Sequence, residues 1–246
     1  MNQTFLENNT VYEWILQIFS VSGRAENMLI MAKHLSPLVC PGDQALDLCC
    51  GAGPASFWLE EQGAKVTGVD FAPYMITLAK DEAARRRSTI EFIEADIFKH
   101  DFGLEQYNLI TCFGNSISDF PLRDFARLSQ KVAPALQPGG RFALQYHDGC
   151  YDFMQGKAAL QGVYQETPER ITYRYKGYSP ECGARLHIIC NETRGIEYQR
   201  KGYVYSVPVV QWVMSNVLTL EQHIVLGENH FLDIFVKPPA GAYLDL

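Results

Sequence analysis

Short apolar runs alternate with segments of helical period along the first 147 residues, the pattern of a parallel sheet covered by helices. Ala45 to Cys49, Lys65 to Asp70, Ile90 to Glu94 and Asn108 to Phe113 read as buried strands. Between them, Pro54 to Gln62 and Pro73 to Arg87 each open on proline, which suits a first helical position because its missing N–H would have no partner there. Leu122, Phe125, Leu128, Val132 and Leu136 recur at spacings of three and four, and Pro138-Gly139-Gly140 breaks that period before a fifth strand, Arg141 to Tyr146. The texture changes after Gly149. Ile171 to Tyr175, Ala184 to Cys190 and Gly202 to Ser206 are tyrosine-rich and β-prone, and they predict an antiparallel insertion. Pro208 to Leu218 then reads as a helix, with His223 to Gly227 and His230 to Val236 as a closing pair of strands. The expected class is α/β: a seven-stranded, mostly parallel sheet flanked by helices, with the antiparallel insertion after the fifth strand.

Composition narrows the chemistry. A chain of 246 residues with 47% hydrophobic content supports one substantial core with an elaboration. The net charge of −7, without a long Lys/Arg tract, lacks the electrostatic footprint of a nucleic-acid binder. No 18-residue apolar run occurs, and the N-terminus has no basic region leading into an apolar one, so no membrane span or export is expected. The seven cysteines include the adjacent pair Cys49 and Cys50 but no CxxC, which suits reduced thiols in a cytoplasmic protein and no metal site.

The chemistry concentrates at the ends of the first strands. Leu46-Asp47-Leu48-Cys49-Cys50-Gly51-Ala52-Gly53 runs from a strand into a glycine turn, and Asp70 ends the next strand. Glycines let backbone approach a ligand closely, and an acid at the second strand's end sits where a ribose would lie. The third glycine of a dinucleotide fingerprint is replaced by Ser56, and Asp47 would oppose a pyrophosphate at the helix N-terminus. A cofactor that carries an amino group and a sulfonium, and no phosphate, is favoured by nearby carboxylates instead. Taken singly, Asp70 reads equally as a turn residue; the joint spacing of Asp47, Gly51, Gly53, Asp70 and Asp96 distinguishes the two readings.

Together with Phe71 to Met75, that set resembles the class I S-adenosylmethionine (SAM)-dependent methyltransferases, with their Rossmann-like fold, from about Arg24 to Tyr146. The resemblance implies that Asp47, Gly51, Gly53, Asp70, Phe71, Met75, Asp96, Ile97 and Phe113 surround SAM. Within the family, Phe113-Gly114-Asn115-Ser116 and the spacing of Trp14 to Arg24-Ala25-Glu26 are similar to glycine N-methyltransferases and related small-amine enzymes. That implies Arg24 on the SAM carboxylate, Trp14 near the cofactor, and Asn115 on the substrate. Phe5 stands where the family has a tyrosine, and Asp119 where it has a histidine after Gly-Asn-Ser; these departures point away from glycine itself. Phe5, Tyr203 and Tyr205 are candidates for the acceptor wall, although packing explains the aromatics of the insertion equally well.

The resemblance implies a single domain over 1–246: a helical cap at 1–35, a SAM-binding core at 36–147, a substrate-side insertion at 150–206 and a closing segment at 207–246. The expected reaction is methyl transfer to a small-molecule acceptor, first an amine or amino-acid-like nitrogen. Oxygen methylation of a carboxylic acid or phenol is the alternative, and a SAM-binding protein without turnover the third reading. A neutral amine needs no strong base; for a hydroxyl, His147 and Asp119 are the candidate catalytic residues. No nucleic acid or membrane partner is expected, and homo-oligomerisation is left open.

Overall fold

The computed structural model describes residues 21–155, 161–166 and 168–239. Seven strands form the main sheet: β1 (Gln44–Leu48), β2 (Lys65–Asp70), β3 (Glu91–Glu94), β4 (Tyr107–Cys112), β5 (Leu136–His147), β10 (Thr219–Gly227) and β11 (His230–Val236). Their order is β10-β11-β5-β4-β1-β2-β3. The five strands from β3 to β5 pair in parallel, and β11 and β10 add antiparallel at the other edge. This is the architecture expected from the sequence. Helices α1 (Val21–Leu35), α2 (Pro54–Glu61), α3 (Pro73–Arg86), α4 (Leu122–Ala135) and α6 (Val207–Ser215) flank it. Short α5 (Gly149–Met154) follows β5.

The strands form because their side chains are buried on both faces: four of the five residues of β1 and four of the six of β4 are buried. One core layer lies between the sheet and α4 with α6, holding Phe125, Leu128, Val132, Phe142, Tyr146 and Met214. The other lies under α1, α2 and α3, holding Met31, Leu35, Phe57, Ile76 and Phe92. Each large side chain so buried contributes about 1.5–3 kcal/mol relative to exposure. Leu122 is exposed at the start of α4, so the apolar stripe begins at Phe125. Fully buried Asp233 on β11 ties this edge together, accepting from Tyr146 Oη at 2.8 Å and Gln211 Nε2 at 3.2 Å and contacting His223 Nδ1 at 2.5 Å.

The second sheet has the order β6-β7-β8-β9, all antiparallel: β6 (Gln161–Gln165), β7 (Ile171–Ser179), β8 (Ala184–Asn191) and β9 (Ile196–Tyr203). The last of these corrects the expected strand at Gly202 to Ser206. Tyr205 leaves the ladder because it turns into the core, where its hydroxyl donates to the Phe120 carbonyl at 2.6 Å. Pro138-Gly139-Gly140 does not delay β5 either. The chain bulges there, with the register against β4 shifting between Tyr107 and Leu109. Among the described residues no helix is long and apolar enough to cross a membrane.

Candidate active site

In an open α/β sheet the ligand crevice lies beyond the carboxyl ends of the strands, and here the turns after β1, β2 and β4 open on that edge. The turn after β1 is forced into left-handed backbone at Cys49 (φ 57°), Gly51 (φ 56°) and Gly53 (φ 85°). Gly53 is required twice over: a Cβ there would lie 2.7 Å from Phe92 Cζ and 3.1 Å from Phe57 Cε2. Asp70, at the end of β2, holds this turn. Its Oδ2 accepts from the Gly51 N–H at 2.8 Å, and its Oδ1 accepts from the Ala72 N–H at 2.9 Å. The Ala95 N–H donates to the Asp70 carbonyl at 2.9 Å, which draws the end of β3 to the same place. There Asp96 Oδ1 accepts from the Phe98 N–H at 2.9 Å. Phe71 and Asp96 are half-buried, while Met75, Ile97 and Phe113 are buried among the core layers around the strand ends.

Asp47 lies beneath the turn rather than in it. It is 1% exposed, and its two oxygens accept from Ser56 Oγ at 2.6 Å and Thr111 Oγ1 at 2.8 Å. This corrects the expectation of a cofactor contact: the side chain fastens β1 to β4 and to the first turn of α2. Burial raises its carboxyl to about 6 against the pull of the two hydroxyls, and the Asp70 charge adds to the rise. The folded chain therefore keeps a proton that the unfolded chain has released. Stability attached to this group is present below the ordinary carboxylate value and is lost as pH rises to about 6. Asp47→Asn, which cannot titrate and still pairs with both hydroxyls, gains on the parent by about 3 kcal/mol at most as pH rises from about 4 to 7. Urea denaturation at both pH values measures this; a gap that stays constant or widens against the variant contradicts it.

The thiols of this turn, half-buried Cys49 and buried Cys50, add no nucleophile. A hydrogen bond with Cys112 is the largest cause raising the Cys49 thiol above its usual range, and burial does the same for Cys50.

The turn after β4 is also left-handed, at Gly114 (φ 76°) and Asn115 (φ 57°). Asn115 Oδ1 accepts from the His147 N–H at 3.0 Å, which leaves its amide N–H2 as the group it can offer to an acceptor. His147 is exposed at the end of β5, and desolvation on its packed side lowers its pKa, opposed by the Asp152 charge. It is neutral near pH 7. Asp119 is corrected as a base. Arg200 of β9 grips its Oδ1 through Nη2 at 2.7 Å and Nε at 3.1 Å, so that oxygen is already engaged in an ion pair. This ion pair also fastens the antiparallel sheet over the turn after β4. Tyr205 is corrected as an acceptor wall: it is buried against Phe125, with ring centroids 5.5 Å apart. Tyr203 is half-buried and packs against the same core. Arg24 lies in α1 with its side chain outside the described residues, and Phe5 and Trp14 fall outside them altogether. Sequence reasoning missed Arg200, Gln145 and His230, which the paired strands bring to this edge.

A cavity of about 690 Å³ lies elsewhere, on the antiparallel sheet among Thr172, Tyr173, Arg174, Cys190 and Glu197, and contains none of the expected site residues. Arg174 is paired there with Glu197 at 3.0 Å. Among the described residues no group of three or more His, Cys, Asp or Glu is placed to hold a metal ion.

Residues 45–140, the segment that carries both turns and Asp70, match the family described as a methyltransferase domain. That segment is therefore similar to a methyltransferase domain. The chain is 27% identical over 139 residues to an uncharacterized methyltransferase of Synechocystis, covering 54% of this chain and 62% of that one. It is 33% identical over 104 residues to the demethylmenaquinone methyltransferase of Thermus thermophilus, covering 40% and 44% respectively. The chain thus spans less than two thirds of the length of these relatives. In fold it is similar to a solved protein of Pyrococcus horikoshii (TM-score 0.72, 23% identity, 89% of this chain and 93% of that one). It is also similar to a SAM-dependent methyltransferase of Clostridium acetobutylicum (TM-score 0.71, 16% identity, 94% and 97%). The fold is the one these solved structures share, and SAM is the cofactor that the matched methyltransferase of Clostridium acetobutylicum uses. The donor set suits it. The turn offers backbone and a carboxylate, Asp70, to hydroxyls and cationic groups, and its residues Cys49 to Phe57 include no Lys or Arg for a phosphate.

Proposed function

We propose that the protein transfers the methyl group of SAM to a small-molecule acceptor, first the nitrogen of an amine or amino-acid-like metabolite. The observation that supports this most is that Asp70 braces the Gly51 turn at the same sheet edge where Asn115 presents its amide N–H2. A carboxylate accepts up to about four hydrogen bonds, so Asp70 is suited to brace the turn and to take ribose hydroxyls. In this reading Gly51 and Gly53 admit the cofactor against backbone, while Phe71, Met75, Asp96 and Ile97 bound its adenine side. Arg24, through the fork geometry of its guanidinium, takes its carboxylate. Trp14 and Phe113 line it, and Phe5 and Asn115 meet the acceptor.

Bound SAM supplies an already activated methyl, so the protein's work is alignment and exclusion of water. Alignment supplies up to about 7–11 kcal/mol in favourable cases. A neutral amine needs no strong base, which agrees with Asp119 being held by Arg200. Oxygen methylation is the second reading. It is favoured by 32% identity over 100 residues to a ubiquinone biosynthesis O-methyltransferase of Coxiella burnetii, and there His147, neutral near pH 7, would take the proton. Incubation with methyl-labelled SAM and a pool of amines, amino acids, carboxylic acids and phenols, read by mass spectrometry, tests both. A labelled amine is expected. A labelled acid or phenol moves the assignment to oxygen, and SAM binding without any labelled product from the pool or from native metabolite extracts overturns turnover.

A further inference from the structure

Gln145 is 5% exposed near the end of β5, and both of its side-chain polar atoms are engaged. Its Oε1 accepts from two backbone N–H groups of the left-handed turn, Gly114 at 2.5 Å and Asn115 at 3.2 Å. Only an amide oxygen can do that, so the amide nitrogen faces the other way, 2.5 Å from Nε2 of His230. Since an amide N–H2 donates, His230 Nε2 must accept, and the imidazole is neutral with its proton on Nδ1. His230 reaches this position because β11 pairs antiparallel with β5, His230 opposite His147, and the two rings stand edge to face with centroids 4.6 Å apart. By the alternation of side chains, Gln145, His147 and His230 share the sheet face of Asp47 and Thr111.

We propose that His230 is a positioning residue of the methyl-transfer site, acting through Gln145 to hold the Gly114–Asn115 turn in the geometry that presents the acceptor. The proposal rests on the reading of Asn115 as an acceptor contact. A turn with two successive left-handed residues, one of them not glycine, persists only where its surroundings over-determine it. Here Gln145 bridges both amides from below, and the His147 N–H holds the Asn115 side chain from the side. His230 takes the other end of Gln145 and so helps to hold its amide oxygen against the turn. Burial and the adjacent His147 hold its pKa down to about 4, so the accepting form is maintained at neutral pH. Asp152 of α5 carries a charge that acts on His147 and is itself held by Asn229 Nδ2 at 2.8 Å.

Two measurements on the full chain separate this proposal from the reading beneath it. Long-range proton–nitrogen NMR of the histidines needs no acceptor. In the parent protein His230 should be protonated on Nδ1 only, and in Gln145→Glu, where a carboxylate oxygen replaces the amide nitrogen, its proton affinity should rise by about tenfold or more. Protonation on Nε2, or an unchanged midpoint in the variant, overturns the proposal whatever the enzyme methylates. With the acceptor found by the labelling experiment, His230→Ala should lower kcat by about tenfold or more with the SAM Kd unchanged, and His230→Gln should recover most of it, since its amide oxygen reaches the place of Nε2. Full activity in His230→Ala, or equal losses in both variants, contradicts a positioning role. If no acceptor is methylated, it is the functional reading that fails, and the NMR result still stands.

Discussion

Asp70→Ala should weaken SAM binding by about 100-fold, and Asp70→Asn by about tenfold, because a hydrogen bond to a charged group contributes about 1.5–3 kcal/mol and the carboxylate is asked to make several. The alanine variant removes the brace from the Gly51 N–H and the acceptor for the Ala72 N–H together with any ribose contact. The asparagine variant keeps the shape and one oxygen. Isothermal calorimetry measures both. Adenosine should lose affinity by the same factor as SAM, since the proposed contact is to the ribose that they share. Unchanged SAM affinity in either variant removes Asp70 from the cofactor site and leaves it as a turn residue.

Gly53→Ala should destabilise the fold by about 2–5 kcal/mol, the sum of overpacking at about 1–3 kcal/mol and left-handed strain at about 1–2 kcal/mol. The added methyl would fall 2.7 Å from the Phe92 ring, which is buried and packed on Phe57 at a centroid distance of 5.6 Å, so neither ring has solvent to move into. Gly139 is the control. It has a comparable φ of 77° but nothing within 4 Å of the added Cβ, so Gly139→Ala should cost only the strain. Urea denaturation of the pair decides the matter, and equal losses would show that backbone strain, not the approach of Phe92, makes Gly53 necessary.

The parallel core was legible in the sequence for a physical reason. A strand buried on both faces must be a nearly unbroken apolar run, and the turns that flank it need Gly or Pro, so β2 and β11 have the expected bounds. The edges of the fold were not. β6, Gln-Gly-Val-Tyr-Gln, has no apolar run to mark it, and its existence depends on pairing with β7. The helix α5 is too short for a period and is started by Asp148, whose side chain accepts from the Tyr151 N–H at 2.9 Å. The same division holds at the site. Gly51, Gly53, Asp70 and Asn115 announce themselves as glycines and polar residues at strand ends. Gln145 was visible only as a polar residue within an apolar strand, and His230 reaches it only through the antiparallel register of β11 on β5. Arg200 pairs with Asp119 from 81 residues away, and no local pattern carries that information. Asp47 stands out in the sequence as an acid within an apolar strand, yet its side chain is structural because two hydroxyls, Ser56 and Thr111, close over it.

Titration of the full chain with SAM and, separately, with NAD by calorimetry tests the central claim most directly. Saturable heat with SAM, displaced by S-adenosylhomocysteine, and none with NAD at the same concentration is the predicted result. Saturable binding of NAD with no response to SAM would contradict it, and would mean that the glycine turn and Asp70 serve a dinucleotide despite the lack of a cationic side chain in the turn.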